Sequence, residues 1–401
     1  MSHSYILYVT NSGSRERFNR ITITYKSDKP VKVWVRYDAN EDEDLFFMEA
    51  EAESFSGLIP RFLDGAYREN LTSVRAEACD GGEASITLTS LTTEMVAIPE
   101  QTSFLENERL KLGIALHWGG TISYLENKKC PVEGLTNVVG RHDTGRVIQQ
   151  SWYGTGPIPG VYDPGSSFGL GWKYNPVQGG DQFQNGGRLI DWKVMDNAIY
   201  IKSQPRDWAL NGSLTPFYTE NTYTLLDDHV RVDNRAVDFM GVEHPHCDQE
   251  LPALYTVSYL DTFVMYDGEH SWTGEPVTYR RELPFWGDAS KTTFVYREMN
   301  TETWCAWINE KDDYGLGLYV PNVDEHKAGR HKFDGSKDDM SDTTNYVAPM
   351  NLIRMISFQP IEFSYLLTVD SLPAIREIFT ANKDFAENLH LHRNCISHRI
   401  P

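Results

Sequence analysis

Short strand-like segments separated by turn-forming clusters recur along almost the whole chain, and this pattern restricts the fold to the all-β class. In the first hundred residues, six segments alternate apolar and polar side chains or are rich in β-branched and aromatic residues. These segments cover residues 5–10, 20–26, 31–37, 46–54, 73–79 and 84–91. Their number and spacing predict a β-sandwich of roughly one hundred residues.

The way this pattern is interrupted predicts two domains. Pro99 ends the strand-like alternation, and a polar run follows at residues 100–102. A chain of 401 residues is long enough for more than one core. We therefore expect an accessory β-sandwich at residues 1–98, acting as a structural cap, and a catalytic domain at residues 103–401.

Strand-like segments continue through the second part of the chain, with two polar segments and one helix as exceptions. Residues 237–249 and 324–346 are long and largely polar, which predicts loops. Residues 371–388 predict a helix, because Ser371 can cap its first turn and apolar residues then form one side.

The charge balance excludes two classes of partner. The chain carries 57 Asp and Glu against 37 Lys and Arg, a formal net charge of −20. Nucleic acids and anionic membrane surfaces require a basic face, so neither is expected, and no apolar run reaches transmembrane length. An acidic sugar is still allowed, because four arginines could make one local positive pocket. They are Arg141, Arg146, Arg188 and Arg206.

The cysteines and the N-terminus predict a cytoplasmic protein. The five cysteines are widely spaced, without a CxxC motif, so reduced and mostly buried thiols are expected. The first residues, MSHSYILY, lack the basic start and the long apolar run of an export signal. A secreted protein trimmed of its leader would look the same.

Residues 137–192 concentrate side chains that are suited to binding a sugar. They include the runs RHDTGR at 141–146, QQSWY at 149–153 and NPVQGGDQFQNGGR at 175–188. Arg, Asp, Asn and Gln supply planar hydrogen-bonding groups, and Trp and Tyr supply flat apolar faces. A sugar ring has the complementary surface, with hydroxyls at its edge and C–H groups on its faces. A carbohydrate site is therefore predicted here.

The order of these motifs resembles the opening of the galactose-mutarotase-like supersandwich. Residues 110–125 form two strand patterns around a Gly-Gly turn, and the runs at 137–141 and 175–188 follow. The resemblance covers residues 105–370 and implies a large antiparallel β-sandwich, as in aldose epimerases, polysaccharide lyases and domains of glycoside hydrolases and phosphorylases. The first hundred residues similarly resemble a jelly-roll accessory module of the carbohydrate-binding kind, which is the alternative to a structural cap. The fold prediction is all-β: an N-terminal jelly-roll-like β-sandwich, a large antiparallel β-supersandwich and a short C-terminal helix.

Two carboxylates and one histidine are the candidate catalytic residues. Asp143 lies between His142 and Arg146, where a carboxylate can act as a base or a nucleophile. Glu250 ends a polar stretch just before an apolar, strand-like one. Such a pair suits glycoside hydrolysis, in which one acid protonates the leaving oxygen and the other attacks or activates water. The competing interpretation is structural: an Arg–Asp pair, a loop anchor and a hydrogen-bonded histidine.

Further polar and aromatic residues are predicted to contact the sugar. They are Arg146, Gln150, Trp152, Tyr153, Asp181, Gln182, Asn185, His244, His246 and His326. His244 and His246 also have the spacing of some metal ligands. Pro245 between them, however, predicts a loop rather than a strand with both rings on one face. For the aromatic residues and each histidine, a structural role in the core is the competing interpretation.

The leading hypothesis is a glycoside hydrolase, and three alternatives remain open. Tyr153 with the neighbouring arginines would also suit β-elimination on a uronic acid, the resemblance includes aldose mutarotases and epimerases, and a non-catalytic sugar-binding protein is the third. The chain has no Walker motif, no GxGxxG after a strand, no GxSxG elbow and no HExxH motif, and we predict no cofactor and no metal. A carbohydrate is the expected partner, and the oligomeric state, a homo-oligomer included, stays open.

Overall fold

Strands form most of the structure. The structure, a computed structural model, describes residues 5–9, 16–37, 43–60, 62–163, 172–283, 294–295 and 302–385. Within these ranges the chain forms 28 strands and a single α-helix, which confirms the all-β prediction. The four cysteines within them are free thiols, and Cys395 lies outside the described residues.

The first nine strands form a small sandwich of two antiparallel sheets. They are β1 (Tyr5–Val9), β2 (Arg17–Phe18), β3 (Arg20–Ser27), β4 (Val31–Tyr37), β5 (Glu43–Met48), β6 (Ser54–Leu58), β7 (Arg68–Glu69), β8 (Leu71–Ala78) and β9 (Ile86–Glu94). One sheet has the order β1-β8-β4-β5 and the other β6-β3-β9, with β2 and β7 as a separate pair. Alternate residues such as Ile23 and Val33 are buried between the sheets, because successive side chains of a strand point to opposite faces. The predicted N-terminal β-sandwich is confirmed.

Residues 46–54 form two strands rather than the single predicted one. β5 ends at Met48 and β6 begins at Ser54, and between them Glu51 has a positive φ of 60°. A non-glycine residue with positive φ is typical of a turn. Residues 49–53 therefore lead from one sheet of the sandwich to the other.

The remaining strands build the larger part of the molecule. They are β10 (Thr102–Glu106), β11 (Leu110–Ala115), β12 (Thr121–Asn127), β13 (Gln149–Ser151), β14 (Pro176–Val177), β15 (Arg188–Val194), β16 (Ala198–Gln204), β17 (Arg206–Asp207), β18 (Phe217–Leu225), β19 (Val230–Asp238), β20 (Glu243–Val257), β21 (Thr262–Tyr266), β22 (Thr278–Arg280), β23 (Phe294–Val295), β24 (Glu302–Asn309), β25 (Tyr314–Tyr319), β26 (Glu325–His331), β27 (Thr344–Ile356) and β28 (Ile361–Asp370). They form a seven-stranded sheet (β17-β14-β13-β20-β27-β26-β23), a nine-stranded sheet (β15-β16-β18-β19-β28-β25-β24-β21-β22) and a three-stranded sheet (β10-β11-β12).

The seven-stranded and nine-stranded sheets enclose one apolar core. The core takes Leu254 and Ile353 from the seven-stranded sheet and Val232, Trp307 and Leu367 from the nine-stranded sheet, each at most 1% exposed. Burial of this much apolar surface is the dominant favourable contribution to folding. The arrangement is the large antiparallel β-sandwich that the sequence predicts.

The small sandwich packs directly on the nine-stranded sheet. Arg188 of β15 donates hydrogen bonds to the carbonyl oxygens of Leu45 (3.2 Å) and Leu58 (3.1 Å). The hydroxyl of Tyr218 accepts the backbone N–H of Phe47 at 2.8 Å. Tyr218 also belongs to the same apolar cluster as the interior of the small sandwich. The two parts therefore share buried surface.

The helix α1 (Leu372–Ala381) covers part of the nine-stranded sheet, on the face away from the shared core. Ile375 and Phe379 pack there with Trp304 in a separate apolar cluster. The helix is shorter than the predicted 371–388, and Ser371 at its N-cap makes no side-chain cap hydrogen bond. No helix in the described part of the chain has the length and apolar character needed to cross a membrane.

Both long polar segments contain strands that the sequence analysis did not predict. β20 begins at Glu243, within the predicted loop 237–249, and β26 lies within the predicted loop 324–346. Pro245 is tolerated in β20 because the pairing with β27 shifts register between Glu243 and His246, and a bulge does not need the N–H that proline lacks. The inference from Pro245 to a loop is therefore wrong.

Candidate active site

A cavity of about 340 Å³ lies where β13, β14, β20 and β27 meet in the seven-stranded sheet. Its walls are formed by Asp143, Gly145, Arg146, Gln149, Ser151, Tyr153, Trp172, Asn175, Val177, Trp208, Glu250, Ala253, Tyr255, His331 and Tyr346. In β27, Tyr346 lines the cavity whereas Val347 points into the shared core. The cavity therefore occupies the outer face of the sheet, and its volume is near the lower end for sites that bind small molecules.

Glu250 lies in the middle of β20 and is 6% exposed. The hydroxyl of Tyr346 donates a hydrogen bond to Glu250 Oε1. Burial, and then the negative charge of Glu250, raise the pKa of the Tyr153 and Tyr346 phenols well above the ordinary value. Both phenols are therefore protonated at neutral pH and act as hydrogen-bond donors beside the carboxylate.

Asp143 is held in a tight turn by its neighbours. Its Oδ1 accepts hydrogen bonds from the backbone N–H groups of Gly145 and Arg146, both at 2.9 Å. Its Oδ2 accepts a hydrogen bond from Arg146 Nε at 2.7 Å. A Cβ atom at Gly145 would lie 2.6 Å from the indole ring of Trp208, so the turn requires glycine at this position. These contacts fix the orientation of the Asp143 carboxylate in the cavity wall.

Arg146 also binds Asp342, in the connection between β26 and β27. Arg146 Nη1 donates to both the carbonyl oxygen and Oδ1 of Asp342, each at 2.7 Å. Lys332 binds the same carboxylate, and the Nε2 atoms of His331 and His142 lie 3.5 and 3.8 Å from it. Hydrogen bonds from Lys332 and Arg146 lower the pKa of Asp342. Burial, and then the charge of Arg146, lower the pKa of His331.

His142, one of the predicted catalytic residues, is exposed and does not line the cavity. Its Nδ1 lies 2.8 Å from the carbonyl oxygen of Met340. His142 lies at the edge of the Asp342 ion-pair cluster. It is next to Asp143 in the sequence, but it is not part of the cavity wall.

Two indoles and two amides complete the walls of the cavity. Trp172 and Trp208 supply apolar faces. Gln149 donates to the carbonyl oxygen of Gly145 at 2.7 Å and accepts the N–H of Gly179 at 2.6 Å, and Asn175 donates to the backbone. Both amides therefore hold the backbone of the neighbouring loops in position. The surface of the cavity that is complementary to a sugar comes chiefly from aromatic rings, phenols and carboxylates.

Gln150 and Trp152 lie on the opposite face of their strand from the cavity. Trp152 is fully buried, donates to Gln150 Oε1 at 3.1 Å and packs against Phe217 and Phe363. Gln149 and Ser151 line the cavity, so the alternation of the strand turns Gln150 and Trp152 into the core. This position does not fit the predicted sugar contacts, whereas Tyr153 does lie in the wall.

Asp181, Gln182 and Asn185 belong to a loop beside the cavity and do not line it. Asp181 is fully buried, and its carboxylate accepts N–H groups from Phe183, Asn185 and Gly212 at 2.7–3.0 Å. The amide of Asn185 binds Asp181 in turn. The role visible for Asp181 and Asn185 is to fix the loop.

The three histidines that are predicted to contact the sugar differ in their burial. His244 is 1% exposed; its Nδ1 accepts the N–H of Thr155 at 3.1 Å and its Nε2 lies 3.3 Å from Asp238. His246 is exposed on the same strand. His326 is fully buried on β26. None of the three lines the cavity, and the register shift in β20 explains why two histidines at spacing two differ in exposure.

The four arginines that could make one positive pocket do not line the cavity together, and each has its own partners. Arg141 binds Asp339 at 2.6 Å, Arg188 is buried against the small sandwich, and Arg206 donates to the carbonyl oxygen of Gly186 at 2.7 Å. Arg146 alone lines the cavity.

Several cavity residues were not predicted. Tyr255 had a detectable signal, since it follows Glu250 on an apolar segment that the sequence identifies as a strand. His331 and Tyr346 fall in the segment predicted to be a loop, so the pattern gave no reason to place them beside Glu250. Trp172 and Trp208 reach the cavity from connections whose course depends on the completed fold.

Comparison with known proteins adds distant structural similarity. No family model and no curated protein matches the sequence. A galactose mutarotase-like protein from Lactobacillus casei has 13% identity and a TM-score of 0.42, with 67% of this chain and 99% of that one covered. A galactose mutarotase related enzyme from Lactobacillus acidophilus has 11% identity and a TM-score of 0.40, with 67% and 97% covered.

A 4-alpha-glucanotransferase from Thermococcus litoralis has 10% identity and a TM-score of 0.35, with 68% of this chain and 37% of that one covered. Similarity at this level does not identify an activity. The galactose-mutarotase-like resemblance suggested by the sequence is thus also found among solved structures, at low identity.

Proposed function

We propose that this chain is a carbohydrate-active enzyme whose leading reaction is glycoside hydrolysis. The observation that carries the proposal is that Glu250 and Asp143 line one cavity together with Trp172 and Trp208. Hydrolysis of a glycosidic bond uses two carboxyl groups flanking the bond, and indole faces match the C–H faces of a sugar ring.

The contacts of the two carboxylates suggest different roles. Tyr346 donates a hydrogen bond to Glu250 Oε1, and the proposed acid step transfers a proton carried by the other oxygen of Glu250 to the leaving oxygen of the substrate. Asp143 is oriented by Gly145 and Arg146, as suits the group that attacks the anomeric carbon or activates water. Glu250 is thus the proposed acid and Asp143 the proposed nucleophile or base.

Mutarotation of a free aldose is the second candidate, and the size of the cavity favours it. A volume of about 340 Å³ suits one sugar ring better than a long chain. Opening and reclosing the ring needs an acid and a base at the anomeric centre, which the same two carboxylates supply.

The cavity favours β-elimination on a uronic acid less. Arg146, the one arginine among the described residues of the wall, already binds Asp143 and Asp342. The raised pKa of the Tyr153 phenol opposes its use as a base.

The decisive experiment is a glycan panel incubated with the full chain, reading reducing ends, optical rotation and near-ultraviolet absorbance in parallel. Hydrolysis raises reducing ends without a rise in absorbance, elimination raises both, and mutarotation changes only the optical rotation. Glu250→Gln and Asp143→Asn should each lower the rate by about a hundredfold to ten-thousandfold, as loss of acid–base catalysis does.

Glu243→Gln is the matched control, because Glu243 is exposed on the same strand and binds Arg354 at 2.8 Å away from the cavity. It should keep the wild-type rate. Sugar binding without turnover by the wild type, or full activity in both carboxylate variants, would contradict the proposal and favour a binding protein.

A further inference from the structure

The loop at residues 178–187, between β14 and β15, is wedged backbone to backbone against the wall of the cavity. A Cβ atom added at Gly179 would lie 2.2 Å from the carbonyl oxygen of Thr144, and one at Gly186 would lie 2.1 Å from that of His117. The hydroxyl of Thr144 donates to the carbonyl oxygen of Asp181 at 2.8 Å. Thr144 stands between the wall residues Asp143 and Gly145, so the loop and the wall are a single packed unit.

Asp181 fixes the tip of this loop from below. Its carboxylate accepts the N–H groups of Phe183 (2.9 Å), Asn185 (3.0 Å) and Gly212 (2.7 Å). Gln184 at the tip has a positive φ of 71°, a conformation that a non-glycine residue adopts only when its surroundings impose it. The tip is therefore preorganised.

An exposed aromatic ring lies at this tip. Phe183 is 42% exposed. Its two neighbours in sequence are both tied to the wall: Gln182 N–H donates to the carbonyl oxygen of Trp208 at 3.4 Å, and Gln184 Oε1 accepts the N–H of Thr144 at 3.4 Å. The backbone at Phe183 is thus held between Trp208 and the Asp143 turn, beside the cavity.

We propose that Phe183 forms a second sugar subsite, stacking on the saccharide unit next to the one held in the cavity. The inference rests on the proposed function, and it makes the ligand a neutral disaccharide or a longer glycan. The cavity has room for a single ring, so a longer ligand must continue across the rim. An aromatic ring held by a fixed loop loses little conformational entropy on stacking, which favours binding.

The test compares full-length Phe183→Ala with the wild type. The probes are the methyl glycosides of glucose, galactose, mannose and xylose, and disaccharides that carry the same units at the non-reducing end, with affinities measured by NMR titration. Wild type should bind a disaccharide more tightly than its methyl glycoside. Phe183→Ala should lower the affinity for the disaccharide by about threefold to tenfold, which is the usual contribution of an aromatic contact. Its affinity for the methyl glycoside should be unchanged.

Phe104→Ala is the matched control, because Phe104 is similarly exposed (45%) but lies on β10, in the separate three-stranded sheet. It should leave both affinities unchanged. Equal weakening of both probes, no weakening, or the same loss in Phe104→Ala overturns the subsite and leaves the proposed catalytic role of Glu250 and Asp143 untouched. Failure of the wild type to bind any probe also overturns the subsite, and the proposed function falls with it only if the glycan panel shows no turnover.

Discussion

His326 is a buried titratable side chain whose protonation is coupled to folding. Burial lowers its pKa from 6.5 to about 4. Between these two values the unfolded chain binds a proton at this residue and the folded chain does not. Stability therefore rises with pH across this window: the contribution is complete above pH 6.5 and is lost as the pH falls toward 4.

We predict that His326→Gln removes this dependence. The free energy of unfolding of the wild type, minus that of the variant, should fall by about 3 kcal/mol from pH 7 to pH 4, as a pKa difference of this size implies. Urea unfolding at a series of pH values measures it. A difference independent of pH would show that His326 does not titrate between its folded and unfolded states as described.

Asp207 provides the control, because its effect has the opposite sign. Burial raises the pKa of Asp207 from 3.8 to about 6, so the folded chain binds the extra proton and gains stability as the pH falls from 6 toward 4. The free energy of unfolding of the wild type, minus that of Asp207→Asn, should therefore increase as the pH falls from 6 toward 4. In the wild type the two contributions oppose each other over the same range.

At the scale of single elements, alternation in the sequence identifies strands but not the destination of each face. The sequence analysis predicted functional residues in the runs around both Gln150 and Glu250. In the structure, Gln150 faces the core and Glu250 faces the cavity. A period of two separates residues into two sets, and only the packed sheets decide which set is covered. The pairing of Asp143 with Arg146 is local and could be anticipated, whereas Tyr346 reaches Glu250 only through the pairing of β20 with β27.

The loop at residues 178–187 yields a prediction about backbone packing. A Cβ atom at Gly187 would lie 2.0 Å from the carbonyl oxygen of Gln178, and a backbone oxygen cannot move aside as a flexible side chain can. Gly187→Ala should lower the free energy of unfolding by about 1–3 kcal/mol, as overpacking does. Gly156→Ala is the control, since nothing lies within 4 Å of its Cβ position, and it should stay within about 0.5 kcal/mol of the wild type. Urea unfolding of both variants checks the pair.

At the scale of the whole molecule, the small sandwich and the nine-stranded sheet are joined by buried contacts. Arg188 is 8% exposed, binds the carbonyl oxygens of Leu45 and Leu58, and lies 3.9 Å from Asp44. The sequence analysis predicted a boundary near Pro99 from local composition, which carries no information about how closely two units pack. Joint burial of Tyr218 with the interior of the small sandwich leads us to expect that both parts unfold in one transition.

Replacement of Arg188 tests this junction. Arg188→Met should lower the free energy of unfolding by about 3–5 kcal/mol, because it removes the cation 3.9 Å from the buried Asp44 carboxylate and the hydrogen-bond donor of two carbonyl oxygens. Arg17→Met, which removes an exposed ion pair with Glu69, should leave the free energy of unfolding nearly unchanged, because solvent screens an exposed ion pair. Calorimetry measures both, and two separate transitions in the wild type would argue against a shared junction.

The two sides of the cavity are held by different forces. Near Arg146, the connection between β26 and β27 is held by ion pairs. Lys332 and Arg146 both bind the half-exposed carboxylate of Asp342. On the side of Thr144 and Gly179, glycine backbones lie in direct contact. Dissolved ions screen the ion pairs of Asp342 and leave the backbone packing at the glycines almost unchanged. The ionic strength of the medium is therefore a means of loosening one wall of the cavity while the other keeps its shape.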